Sequence, residues 1–112
     1  MTPTLAYIGG ACDNPNVMDK EAGMLALQAF LGLHRATGDA EWLPHARAAA
    51  DYVETWTYAW NLPPVAGDPA VVYPRIRTTL GQSVIATGQS GADNFMAIAP
   101  AQFEYLGQVA GD

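Results

Sequence analysis

Charged side chains are scarce in this chain. Of its 112 residues, only 14% are Asp, Glu, Lys or Arg. An ordinary soluble domain carries about 25%. A small protein has proportionally more surface than a large one and should carry more charge, not less. Half of the residues are hydrophobic, so the deficit indicates that part of the surface faces other protein. We therefore expect a homo-oligomer, either a dimer or a tetramer.

Basic residues are scarcer still, and the formal net charge is −6. The five Lys and Arg residues are dispersed, so no basic stripe is available for nucleic acid. The acidic balance also repels an anionic membrane surface. No run reaches the roughly 20 apolar residues of a membrane span. Residues 1–10 lack the basic and apolar regions of a signal peptide, which favours a cytoplasmic protein.

Cysteine is nearly absent, since Cys12 is the only one. An internal disulfide is therefore excluded. The acidic and amide side chains of residues 13–19 lack the spacing and the glycine of a calcium loop. His34 and His45 show no ligand spacing between them. We expect neither a metal nor a cofactor.

Helical patterns dominate what the sequence does contain. A first helix is predicted to begin within residues 16–19, with Asn16 as its N-cap, and to be stopped by Gly38. Between residues 22 and 33 its only polar side chain is Gln28. A helix that is apolar on every side requires burial on every side. The inner layer of a larger helical assembly would supply that burial.

A second, amphipathic helix follows the first. Asp39 is its predicted cap, and Pro44 is tolerated only in its first turn. Apolar residues recur at helical spacing from Trp42 to Trp56, with charged residues on the other faces. The two helices together predict a hairpin with one inner and one outer helix.

The second half of the chain changes character. Four prolines between residues 61 and 80 rule out helix there, and a long irregular connection in a compact domain is usually functional. A third helix is predicted from about Ala92, with Pro100 in a new first turn. We expect one incomplete domain over residues 1–112, with a hairpin at 17–60, a Pro-rich extended loop at 61–91 and half a hairpin at 92–112.

An internal repeat supports this division. Residues 30–39 align without gaps on residues 103–112, with matching Phe, Leu, Gly and Asp. In the first copy a second helix follows, whereas the second copy stops where that helix should begin. One and a half hairpins are therefore present. The predicted fold class is all-α.

Four stretches resemble segments of six-hairpin glycosidase-like proteins, namely residues 12–23 (CDNPNVMDKEAG), 36–43, 50–60 and 87–94 (TGQSGADN). Those proteins are (α/α)6 toroids in which the loops leading into the inner helices build a sugar-binding cleft. The resemblance implies helical hairpins from part of a toroid and a carbohydrate-active, glycoside hydrolase-like protein with a saccharide ligand. Related segments have His-Ser where this chain has Gln89-Ser90, so a role that needs an imidazole there is absent.

Candidate site residues lie at the predicted starts of the inner helices. Glycoside hydrolysis generally uses two carboxyl groups flanking the scissile bond, and Asp93 is the candidate catalytic residue. An acidic residue at a helix start is also an ordinary cap, and that alternative stays open. The candidate substrate-binding residues are Asp13, Asn14, Asp19, Glu21, Trp60, Gln89, Ser90 and Asn94.

Two other functions remain open from the sequence. One is a noncatalytic, self-associating fragment or binding module. The other is a serine hydrolase, because residues 84–92 have the layout of a strand, a tight turn and a helix around Ser90, as in a nucleophile elbow. Both histidines precede Ser90, whereas the partners of such a serine should follow it.

Overall fold

A computed structural model describes residues 6–9, 17–60, 80, 83 and 99–111. Its helices are α1 (Lys20–Thr37), α2 (Trp42–Glu54) and α3 (Ala99–Ala110). A short antiparallel ribbon of β1 (Ile8–Gly9) and β2 (Val17–Met18) precedes α1. The mostly helical character that the sequence predicts is confirmed. Within these residues, no helix is long and apolar enough to cross a membrane.

The N-cap of α1 differs from the prediction, although the helix begins directly after the predicted range 16–19. Val17 and Met18 pair with β1 as a strand, so the helix cannot begin at Asn16, which itself lies outside the described residues. Asp19 is the N-cap instead, with an extended backbone (φ −139°, ψ 156°). Its Oδ1 accepts the backbone N–H of Ala22 at 2.6 Å, which satisfies a donor that the first turn leaves unpaired. The predicted cap was wrong because the chain forms a ribbon first.

The turn between α1 and α2 follows the sequence signals closely. Gly38 adopts the left-handed conformation (φ 70°), and its N–H donates to the carbonyl of His34 at 2.8 Å. Asp39 does not cap α2 itself, because its Oδ1 accepts the N–H of Glu41 at 2.9 Å and shapes the turn ahead of the helix. Pro44 is the third residue of α2, where its missing N–H removes no helical hydrogen bond.

The core lies between α1 and α2 and is closed by α3. Leucines of α1 face alanines of α2, and such small side chains allow two helix axes to approach closely. The buried members of this cluster are Leu27, Leu31, Ala46, Ala49, Ala50 and Leu106. A second, smaller cluster joins Met24 of α1 to Val53 of α2. The first two helices therefore pack against each other as an antiparallel pair.

The third helix ends in the same way as the first. Gly111 is left-handed (φ 76°), and its N–H donates to the carbonyl of Gly107 at 3.0 Å. Gly38 is the aligned residue of the internal repeat, so the two copies share their helix ending. Pro100 is the second residue of α3, in its first turn as predicted. The predicted start at Ala92 and most of the loop at 61–91 lie outside the described residues.

One face of α1 is exposed in the described part of the chain, so the burial on every side that the sequence predicts for this helix would have to come from other protein. Leu25 is 62% exposed and Leu33 is 40% exposed. Gln28, Ala29 and Gly32 lie between them and are also exposed. Residues three or four apart share one helix face, and this face is opposite the core leucines. We call it the α1 outer face, defined by Leu25, Gln28, Ala29, Gly32 and Leu33.

Candidate functional site

The hairpin brings several predicted site residues to one end of the fold. Because α1 and α2 are antiparallel, the start of α1 lies beside the end of α2. Asp19, Glu21 and Trp60 belong to this hairpin end. The other predicted site residues lie outside the described part of the chain, namely Asp13, Asn14, Gln89, Ser90, Asp93 and Asn94.

Tyr52 of α2 joins the elements that meet at the hairpin end. Its hydroxyl lies 3.2 Å from the carbonyl oxygens of both Tyr7 and Asp19, so its single proton is shared between these two acceptors. Its ring packs edge-on against the ring of Tyr7, with centroids 5.2 Å apart. Burial raises the pKa of Tyr52 above its ordinary value of 10.0, and the nearby charge of Asp19 acts in the same direction. The start of α1 is therefore pinned to the end of α2.

Asp19 has a buried carboxylate that serves the backbone. The residue is only 1% exposed, and one oxygen is occupied by the capping bond to Ala22. Gly9 of β1 lies directly against this carboxylate, where a Cβ would overlap the carboxyl atoms. Direct contact between Asp19 and a saccharide would require this packing to open.

Lys20 and Ser83 form a contact that the sequence did not reveal. The Lys20 ammonium donates to Ser83 Oγ at 2.8 Å, and Lys20 is 0% and Ser83 3% exposed. The backbone of Ser83 also forms an isolated antiparallel bridge with Thr57, just beyond α2. These contacts place residue 83 at the hairpin end. The sequence carried little signal for them, because the partners are separated by 63 positions.

A serine and a lysine at hydrogen-bond distance also constitute a known nucleophile–base arrangement. A substrate carbonyl must reach the serine oxygen, however, and both side chains are buried here. Neither histidine is available to Ser83, since His34 lies about 21 Å along α1 from Lys20 and His45 stacks on Phe30 with centroids 5.3 Å apart. The Lys20–Ser83 pair is therefore best explained as a structural tie.

Glu21 and Trp60 are the accessible predicted residues at the hairpin end. Glu21 is half-buried in the first turn of α1, where the helix dipole favours a negative charge. Trp60 is 65% exposed, whereas the preceding aromatic residues Trp56 and Tyr58 are half-buried. The hairpin end therefore carries one exposed aromatic residue and one half-buried carboxylate. Among the described residues, no group of three His, Cys, Asp or Glu side chains could hold a metal ion.

Comparison of the chain with protein-family models, with curated proteins and with solved structures found no match. The resemblance to six-hairpin glycosidase-like proteins therefore stays a prediction. Function has to be inferred from the hairpin end itself.

Proposed function

We propose that the chain is a carbohydrate-active, glycoside hydrolase-like protein built from helical hairpins of the (α/α)6 toroid type. Its saccharide lies at the hairpin end, beside the start of α1. The observation that carries the proposal is Trp60 at this end, which is 65% exposed, because an indole that reaches solvent can offer an apolar surface to a sugar ring.

The position of Trp60 follows from contacts nearer the core. Thr57 pairs with Ser83, and the Oγ of Ser83 accepts a hydrogen bond from the ammonium of Lys20. Lys20 directly precedes Glu21 in the sequence. Trp60 is three residues beyond Thr57, so its Cα lies within about 10 Å of that bridge. These contacts link the segment that carries Trp60 to the first turn of α1, which carries Glu21.

The chemistry of these two groups suits a sugar. The C–H groups on one face of a pyranose ring carry a small positive charge and pack against the negative face of an indole. A carboxylate accepts hydrogen bonds from sugar hydroxyl groups. A neutral ligand also avoids repulsion by a chain of net charge −6. We propose Trp60 as the stacking platform and Glu21 as the hydroxyl acceptor.

Hydrolysis would require a second carboxyl group, and we propose Asp93 for the catalytic role. The remaining predicted substrate-binding residues would complete the cleft, with Asp19 acting through the cap that orients Glu21. A noncatalytic binding module is the alternative if no hydrolysis accompanies binding.

Binding is tested with a panel of neutral oligosaccharides and polysaccharides, by isothermal titration calorimetry and affinity electrophoresis. Trp60→Ala should abolish binding, whereas the matched variant Trp60→Phe should retain part of it because a ring face remains. Because Trp60 is exposed, neither change should lower the melting temperature by more than a degree or two. Binding that is equal in Trp60→Ala and the wild type would refute the platform.

Catalysis is tested separately on the sugars that bind. Asp93→Asn should remove hydrolysis while leaving the fold and the affinity intact. Undiminished hydrolysis in Asp93→Asn would refute the catalytic assignment. Binding without any hydrolysis in the wild type would identify the noncatalytic module instead.

A further inference from the structure

The α1 outer face is apolar and exposed along much of its length. Leu25 and Leu33 bracket the small residues Ala29 and Gly32. Apart from the adjoining residues and backbone of α1 itself, nothing in the described part of the chain lies within 4 Å of the position that a Cβ on Gly32 would occupy. Small residues between two leucines are the pattern that allows another helix to approach closely. The aligned residue of Leu33 in the internal repeat, Leu106, is buried in the core.

We propose that α1 pairs in antiparallel orientation with α1 of a second copy of this chain. The pairing goes beyond the saccharide site and shares only Glu21 with it, because the two oxygens of one carboxylate can accept from a sugar hydroxyl and from a guanidinium. A two-fold axis near Ala29 places Leu25 of one copy opposite Leu33 of the other, since both lie four residues from the axis. The same surface then serves both copies, as an isologous dimer requires.

Charge selects the antiparallel orientation. Glu21 is in the first turn of α1 and Arg35 in the last turn, and their separation of 14 residues, about four helical turns, places them on the same flank of the α1 outer face. The Arg35 guanidinium also packs over the ring of Tyr105 in its own chain, 4.0 Å from the centroid. In antiparallel helices the same flanks of the two copies meet, so Glu21 of each copy faces Arg35 of the other. Parallel pairing would instead gather both Glu21 carboxylates at one end and both Arg35 side chains at the other, which like-charge repulsion disfavours. The opposed helix dipoles favour the antiparallel orientation as well.

The size of the surface sets the strength of the dimer. A helix of 18 residues is about 27 Å long, and one helix face buries less than the roughly 800 Å² per partner of a standard interface. We therefore expect a dissociation constant on the order of 10–100 µM and a monomer–dimer equilibrium that depends on concentration.

Sedimentation velocity over a concentration series of the full chain tests this pairing. Ala29→Glu places two like charges beside the two-fold axis and should weaken the dimer about tenfold or more. Ala101→Glu adds the same charge at another exposed helical position and should leave the equilibrium unchanged. A wild type that stays monomeric up to about 1 mM, or a dimer that tolerates Ala29→Glu, would overturn the proposal.

Cysteine cross-linking in a Cys12→Ser background tests the orientation. Mixed Leu25→Cys and Leu33→Cys chains should form a disulfide between unlike copies. Leu25→Cys alone should not, because its two copies would lie about 12 Å apart along the axis, beyond disulfide reach. Efficient cross-linking of Leu25→Cys with itself would indicate parallel pairing and contradict selection by charge.

Discussion

Two glycines of α1 should respond in opposite directions to the same substitution. Alanine is favoured over glycine in a helix interior by about 1 kcal/mol. Gly32 lies on the α1 outer face, where an added methyl group would meet nothing within 4 Å apart from adjoining residues and backbone of α1 itself, so Gly32→Ala should stabilise the fold by most of that roughly 1 kcal/mol. Gly23 lies between α1 and α2, where the effect of alanine on stability depends on whether the α2 side chains leave room for a methyl group.

A methyl group at Gly23 would meet the α2 side chains too closely. Its carbon would lie 2.5 Å from Cδ1 of Tyr52 and 3.1 Å from Cγ2 of Val53, whereas carbon atoms pack best at about 3.5–4.0 Å. The Tyr52 ring cannot retreat freely, because its hydroxyl is held by two backbone carbonyls. Overpacking costs about 1–3 kcal/mol, and weakening the Tyr52 hydrogen bonds adds about 1 kcal/mol.

After the gain in helix propensity is subtracted, Gly23→Ala should destabilise the fold by about 1–3 kcal/mol. The two variants should therefore differ by about 2–4 kcal/mol, measured by urea unfolding of dilute protein with circular dichroism. In a Tyr52→Ala background the cost of Gly23→Ala should largely disappear, since the clashing ring is gone. A Gly23→Ala chain as stable as Gly32→Ala would refute the described packing of α1 on α2.

Two further predictions concern the hairpin end. Ser83→Ala removes one acceptor of the buried Lys20 ammonium, so it should lower the free energy of unfolding by about 1–3 kcal/mol; a change of only a few tenths would show that the contact is dispensable. Burial raises the pKa of Tyr7 and Tyr52 above 10.0, so the folded state holds these phenol protons more tightly than the unfolded state. The stabilisation that these two protonated tyrosines give the folded state is complete below about pH 10, and it is lost as pH rises through their raised pKa values. The alkaline fall in melting temperature should be shallower in Tyr52→Phe than in the wild type, and an identical slope would contradict this.

Local signals in the sequence predicted local structure well. Gly38 ends α1, and Pro44 and Pro100 stand in first turns, because backbone preferences of glycine and proline act over a few residues. The cap of α1 was misplaced because Asn16 and Asp19 both have suitable side chains. Only the pairing of β2 with β1 decides between them, and that pairing is not local.

Burial was harder to predict than secondary structure. The composition of α1 indicates a helix without a polar face, but Leu25 and Leu33 find no cover within the described chain. Hydrophobicity indicates which side chains gain from burial, and it does not say which molecule buries them. The same holds for the candidate site. The exposure of Trp60 and the burial of Asp19 depend on tertiary packing, which the sequence pattern does not predict.

The structural role of Lys20 depends on a contact with a residue far away in the sequence. In the sequence it is one of five dispersed cations, and a lysine is almost never fully buried unless it is paired. In the fold its ammonium bonds to Ser83, and Ser83 pairs with Thr57 just beyond α2. The buried cation thereby ties the second half of the chain to the start of α1. Because Glu21 is the next residue, the same tie fixes the first turn that presents this carboxylate. Substitution of Ser83 should therefore loosen the proposed saccharide site without touching any group that contacts the ligand.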